Sequence, residues 1–242
     1  MTGTFALGGD LEVRRLGFGA MRVVDLDPED AAALLRRAVE LGINLIDTAD
    51  AYGPETSELR IAEALHPYPE GLVIATKGGL VNDGSSDWPH DARPERLKEC
   101  CHASLRRLKL DRIDLYQLHR PDPKVPVAES LGALKELQDE GKIRHIGVSN
   151  ISLELLEEAR QIVDVVSVQN EYNVADRRSD DVLQACEDQG IAFIPWTPLG
   201  RGEVPRSEAL LWLLRRSPVI LPIPGTSSAD HLEEIVRWAE AA

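Results

Sequence analysis

The chain has 242 residues, of which 43% are apolar and 28% charged, with a formal net charge of -14 at pH 7. These proportions suit a soluble globular chain with a sizeable core, and a chain of this length is expected to form one domain over residues 1–242. The negative charge argues against nucleic acid and anionic membrane as partners, since its field repels both, although a local group of backbone N–H groups can still hold an anionic ligand.

The first residues, MTGTFALGGDLEV, lack the basic start and long apolar core of a signal peptide. No run approaches the roughly 18 unbroken apolar residues that span a bilayer. FALGGDLEV reads instead as a small hairpin, with Gly8-Gly9 or Gly9-Asp10 at its turn. From there one rhythm repeats: a short β-branched run, a turn and an amphipathic helix with period-3.6 spacing. Strands are expected at 15–20, 43–47, 72–76, 113–119, 144–149, 165–169, 191–196 and 219–223. Helices are expected at about 28–41, 56–66, 94–108, 127–140, 152–161, 177–189, 206–216 and 229–241. Asp27-Pro28-Glu29, Arg93-Pro94-Glu95 and Ser152 mark helix starts, while Gly42, Gly141 and Gly190 are placed as C′ glycines. Eight alternating units in 242 residues fit a closed (β/α)8 TIM barrel with an N-terminal β-hairpin better than an open doubly wound sheet. The open fold's G-x-G-x-x-G fingerprint is also missing, since GFGAMR keeps only its first two glycines. Cys100, Cys101 and Cys186 are odd in number and lack metal-ligand spacing, and the six histidines do not cluster. Reduced thiols, a cytoplasmic location and no metal site are therefore expected.

Chemistry in such a barrel sits at the C-terminal ends of the strands. Those ends carry Asp47, Lys77, His119, Ser149-Asn150, Gln169 and Trp196, with Ala20-Met21 after the first strand and IPGTSS after the last. Each alone has an ordinary structural explanation. Asp47 can cap a turn, Lys77 can be a solvated loop lysine, His119 a satisfied core histidine, and Tyr52, five residues beyond Asp47, rim packing. Together they are harder to explain that way, because burying Asp, Lys and His near one another is costly unless they pair. A phenol beside a lysine held by an aspartate is a general acid suited to protonating a carbonyl oxygen, which a histidine can orient. No side chain donates hydride, so such a site needs a cofactor.

The motifs GINLIDTADAYG, VIATKGG, YQLHRPD, GKIRHIGVSN, VSVQNEYN, WTPLGRG and LPIPGTSS run in order over nearly the whole chain. They resemble those of the aldo-keto reductases, in the bacterial oxidoreductase branch near the pyridoxal reductases. The resemblance implies a barrel that binds a nicotinamide cofactor across its rim, with a catalytic tetrad of Asp47, Tyr52, Lys77 and His119 and Tyr52 as proton donor. It implies Ser149, Asn150 and Gln169 on the nicotinamide carboxamide, Trp196 on the nicotinamide ring, Met21 beside the cofactor, and Leu199, Gly200 and Arg201 at the pyrophosphate. Gly225, Thr226, Ser227 and His231, around the start of the last helix, would hold a 2′-phosphate, so NADPH is expected, with NADH left open. The implied substrate is a small carbonyl compound met by Tyr52 and His119; Trp88 and His90, in DGSSDWPH, are read either as a further wall of its pocket or as part of a packed loop, and the protein partner is left open.

The sequence departs from the family pattern at Gly225 and His231, where many relatives carry lysine and arginine, and at Ile235, where they usually carry asparagine. The loops MRVVDLDPED, HRPDPKVP and the stretch after PLGRG are short, which implies an open pocket and broad recognition. These departures keep a second reading in view, a nicotinamide-binding sensor or accessory subunit with little catalysis. Against it stands the intact tetrad, which a pure binder has no need to keep.

Overall fold

The computed structural model describes residues 3–84 and 88–242, so residues 1–2 and 85–87 lie outside the described residues. Strands β1 (Thr4–Leu7) and β2 (Leu11–Arg14) form the expected antiparallel hairpin, with Gly8 and Gly9 at positive φ in the turn. Leu7 and Val13 join Leu45, Val73, Leu115, Val166, Ala192 and Leu221 in one apolar cluster, so the hairpin plugs the bottom of the barrel. Asp10 fastens it there, pairing with Arg144 and His145 at 2.6 Å each.

Seven parallel strands then pair in chain order. They are β3 (Phe18–Gly19), β4 (Leu45–Asp47), β5 (Val73–Gly78), β6 (Ile113–Leu118), β7 (Ile143–Ser149), β8 (Val165–Gln169) and β9 (Ala192–Phe193). Between and after them run α1 (Pro28–Glu40), α2 (Thr56–Leu65), α3 (Pro94–Leu108), α4 (Val127–Asp139), α5 (Leu153–Ala159), α6 (Asp180–Gln189), α7 (Arg206–Arg216) and α8 (Ala229–Glu240). Each helix lays an apolar stripe on the sheet; in α1 it is Ala31, Leu34, Leu35 and Ala38, at the spacing that keeps one face inward. Ser152 caps α5 by accepting the Leu155 N–H at 3.3 Å, and Gly42, Gly141 and Gly190 end their helices at positive φ. Helix α6 starts three residues later than its sequence pattern, because residues 177–179 form a turn in which Arg177 O accepts the Asp180 N–H at 3.1 Å.

The eighth strand, expected at 219–223, is not a regular strand. That segment still bonds to both neighbours. Phe193 N–H donates to Val219 O and Leu221 N–H to Phe193 O on one side, while Gly17 N–H donates to Pro222 O and Gly19 N–H to Pro224 O on the other. The barrel is thereby closed, but Pro222 and Pro224 have no N–H to return towards β3, so the seam holds only half a ladder. Gly19 and Gly225 pass closely at this seam. A Cβ on Gly19 would stand 2.7 Å from Ile223 O, and one on Gly225 would stand 2.7 Å from Gly19 O, so only glycine fits at either position.

Strand alternation decides what reaches the upper interior, since successive side chains face opposite sides. On β5, Val73 and Ala75 lead inward to Lys77, while Thr76 faces out and donates its hydroxyl proton to Glu58 of α2 at 2.6 Å. On β6, Leu115 leads to Gln117 and then His119, and on β4, Leu45 leads to Asp47.

Candidate active site

Lys77 is fully buried and sits at the centre. Its Nζ donates to Asp47 Oδ1 at 2.6 Å, to Thr48 O at 2.8 Å and to Tyr52 OH at 3.3 Å, which uses all three ammonium protons. Tyr52 rides on the loop after β4, which is fixed by Thr48 N–H to Ala75 O, Asp50 N–H to Lys77 O and Glu55 N–H to Asp50 O. Its ring meets the His119 ring edge-on at 5.9 Å and lies 6.0 Å from Trp88. The four residues of the expected tetrad therefore converge, and Trp88 joins them.

Their electrostatics follow from burial. Burial pushes the Tyr52 hydroxyl above its usual range; Lys77 opposes this and Asp47 reinforces it, so Tyr52 stays a neutral phenol. Burial also works against the Lys77 ammonium, but Asp47 and Tyr52 outweigh it and hold its pKa raised. His119 is driven well below the usual histidine range, by burial first and then by the cations Lys77 and Arg120, so its ring is neutral. Its Nδ1 is buried without a hydrogen-bond partner.

The second oxygen of Asp47 accepts from Gln169 Nε2 at 2.9 Å and from Gln117 Nε2 at 3.3 Å. This orients the Gln169 amide. With its nitrogen turned to Asp47, its oxygen is left as an acceptor, and Gln169 lines the cleft above. Ser149, its register partner on β7, accepts from Asn150 Nδ2 at 2.9 Å, which leaves the serine hydroxyl free to donate. Asn150, at φ 56, bonds widely within the protein: Nδ2 also donates to His119 O at 3.1 Å, and Oδ1 accepts from Trp196 Nε1 at 3.1 Å. Within the expected trio, Ser149 keeps a donor and Gln169 an acceptor free, and Asn150 also braces His119 and Trp196.

A cleft of about 990 Å³ opens over this end of the barrel. Besides Asp47, Tyr52, Trp88, His119 and Gln169, it is lined by Met21, Ser149, Asn150, Trp196, Leu199, Gly200, Arg201, Gly225, Thr226, Ser227 and His231. Every site residue expected from sequence lines it except Lys77, which lies beneath. Arg201 is mostly exposed and pairs with Glu171 at 2.9 Å. Ser228 begins α8, its hydroxyl accepting the His231 N–H at 3.4 Å. The sequence reading missed Gln117 and the cleft-lining Arg22, Arg120 and Arg206. Gln117 was open to discovery, lying two residues before His119 on the same strand face; Arg22 lies in a short 3-10 helix (Ala20–Asp25), Arg120 in a loop and Arg206 at a helix start, where no periodicity says which way a side chain faces.

Behind the Tyr52 loop, the Asp50 carboxyl is buried with Oδ1 unbonded, and burial pushes its pKa from 3.8 to about 6, despite a hydrogen bond with Cys100 and with Glu58 adding to the rise. Folding therefore favours the protonated carboxyl. Stability tied to this group is complete below the unfolded value near 3.8 and is lost as pH climbs through about 6. The full loss is at most about 3 kcal/mol. Asp50→Asn, which mimics the protonated form, is expected to raise the Tm at pH 8 by roughly 5 °C or more and to lose that advantage near pH 4. Thermal unfolding at both pH values checks this, and an equal shift at each would rule out ionisation as the cause.

The sequence pattern of the aldo/keto reductase family matches residues 15–209. An uncharacterised oxidoreductase of Schizosaccharomyces pombe is 48% identical over 255 residues, spanning 96% of this chain and 83% of its own length. The pyridoxine 4-dehydrogenase of Escherichia coli is 41% identical over 261 residues, spanning 96% of this chain and 91% of that protein. Among solved structures, an aldo-keto reductase from Klebsiella pneumoniae in complex with NADPH superposes with a TM-score of 0.87 at 25% identity, over 99% of this chain and 90% of that one. With the barrel and the pattern of motifs both accounted for, the chain belongs to the aldo/keto reductase family and is an NAD(P)H-dependent oxidoreductase.

Proposed function

We propose that the protein reduces an aldehyde or ketone to the alcohol with NADPH, and that Tyr52 supplies the proton to the carbonyl oxygen. One observation carries this reading: a fully buried ammonium, Lys77, bonded at once to Asp47 and to the Tyr52 hydroxyl. The residues present fit a nicotinamide group, because its carboxamide needs one donor and one acceptor and Ser149 and Gln169 leave free one of each. When bound, the cofactor supplies hydride for the carbonyl carbon. The chain's own residues do the rest. Neutral His119 directs an N–H at the carbonyl oxygen, Tyr52 releases its proton there, and Lys77, held by Asp47, stabilises the phenolate left behind.

Trp196 would hold the nicotinamide ring, tied in place by Asn150, with Met21 beside it. Leu199, Gly200 and Arg201 would meet the pyrophosphate, and Gly225, Thr226, Ser227 and His231 the 2′-phosphate. NADPH is favoured over NADH by the Arg201 and Arg206 cations in the cleft, which offset the missing charge at Gly225. Pyridoxal is the first substrate to try, on the strength of the pyridoxine 4-dehydrogenase relative. The test is consumption of NADPH, with NADH in parallel, against pyridoxal and an activated aromatic aldehyde. Tight cofactor binding without turnover would instead return the sensor reading. Ser149→Ala is expected to weaken NADPH binding about 5- to 20-fold, the loss of one hydrogen bond that also strands Asn150, as read by fluorescence titration. Unchanged affinity would remove Ser149 from the carboxamide contact.

A further inference from the structure

We propose that Arg120 is the substrate-anchoring residue of this site, its guanidinium binding an anionic oxygen, carboxylate or phenolate, carried by the carbonyl substrate. This rests on the carbonyl-reduction reading above. Arg120 directly follows His119 and lines the same cleft as Tyr52 and Trp88. It is half-buried, and its Nε is shielded from solvent with no hydrogen-bond partner. No ion pair engages its guanidinium among the described residues. The other cleft arginines are exposed: Arg22 and Arg206 are open to water, and Arg201 pairs with Glu171.

A partly desolvated cation with a buried, unbonded N–H is costly in the free protein and is relieved by an acceptor that fills the cleft. The other polar groups beside Tyr52 offer an anion no free charge. Lys77 is committed to Asp47, and His119 and Tyr52 are neutral. Guanidinium is also permanently charged and presents forked donors that suit a carboxylate or phenolate oxygen. Arg120 therefore selects among carbonyl compounds rather than acting on the reacting atoms. Pyridoxal, with its phenolic oxygen beside the aldehyde, falls in the selected class.

The experiment compares the parent with Arg120→Gln and Arg120→Lys in two ways. Calorimetry of the NADP+-bound protein measures affinity for benzoate and for neutral benzamide. Kinetics with NADPH measure KM and kcat for pyridoxal, 4-carboxybenzaldehyde and uncharged 4-nitrobenzaldehyde. Arg120→Gln is expected to lose at least tenfold in benzoate affinity and to raise KM for the two anionic aldehydes at least tenfold. Its kcat, its benzamide affinity and its KM for 4-nitrobenzaldehyde stay within threefold of the parent, and Arg120→Lys recovers part of each loss. Benzoate affinity within twofold of the parent, or an equal loss for charged and neutral aldehydes, overturns the proposal. Arg120-dependent benzoate binding in a parent that reduces no aldehyde would leave the anion site standing and overturn the reductase reading instead.

Discussion

Replacing Tyr52 with phenylalanine is expected to lower kcat for carbonyl reduction by roughly 10²–10⁴-fold while NADPH affinity stays within a few-fold. The exchange removes one oxygen. That oxygen receives a hydrogen bond from Lys77 at 3.3 Å, on a ring that meets His119 edge-on. The ring itself remains, keeping its edge-on contact with His119 and its place against Trp88. Because Lys77 keeps Asp47 and Thr48 O as partners, the variant is not left with a stranded charge. Single-turnover rates with the best carbonyl substrate, alongside cofactor titration, check it. If the variant kept near-parental turnover, proton donation would belong to His119 or water, and if turnover and cofactor binding fell together, the effect would be structural.

The second large effect concerns stability. Lys77→Met deletes the only cation that pairs with Asp47 among the described residues, and this carboxylate, 2% exposed, keeps its hydrogen bonds from Gln169 and Gln117. Breaking a buried ion pair by removing one partner typically costs about 3–5 kcal/mol, because the remaining charge has neither water nor a counter-ion. For a chain of this size the Tm is expected to fall by roughly 10 °C. Adding Asp47→Asn removes the stranded charge, so the double variant should recover much of the loss while remaining inactive. Denaturant unfolding of the three proteins settles the cause. A double variant no more stable than Lys77→Met would show that packing, rather than charge, is at fault.

Much of this molecule was legible in its sequence, for identifiable reasons. Periodicity placed the helices and the hairpin because burial of one face is the main force on each. The clustering of Asp47, Tyr52, Lys77 and His119 was legible because strand ends are fixed points in a barrel and polar residues there stand out against apolar runs. Three things were not. The eighth strand looked regular because VILPI is apolar, yet proline chemistry strips the N–H groups one side of it needs. The bracing by Asn150 was hidden because its amide bonds to three neighbours that no spacing rule brings together. The burial of Asp50 had no signature in the sequence, since it comes from packing against Cys100 of α3.

The close pass of Gly19 and Gly225 also limits the routes open to descendants of this chain. A cation at position 225 would be the simplest way to strengthen phosphate binding, but any side chain there must first displace the backbone of the opposite seam, 2.7 Å from the new carbon. Displacing it would disturb the two bonds through which residues 222 and 224 close the barrel. Selection for tighter binding is thus channelled away from that single step and towards positions with room, such as Arg206 at the start of α7. The seam trades adaptability at one locus for closure of the whole.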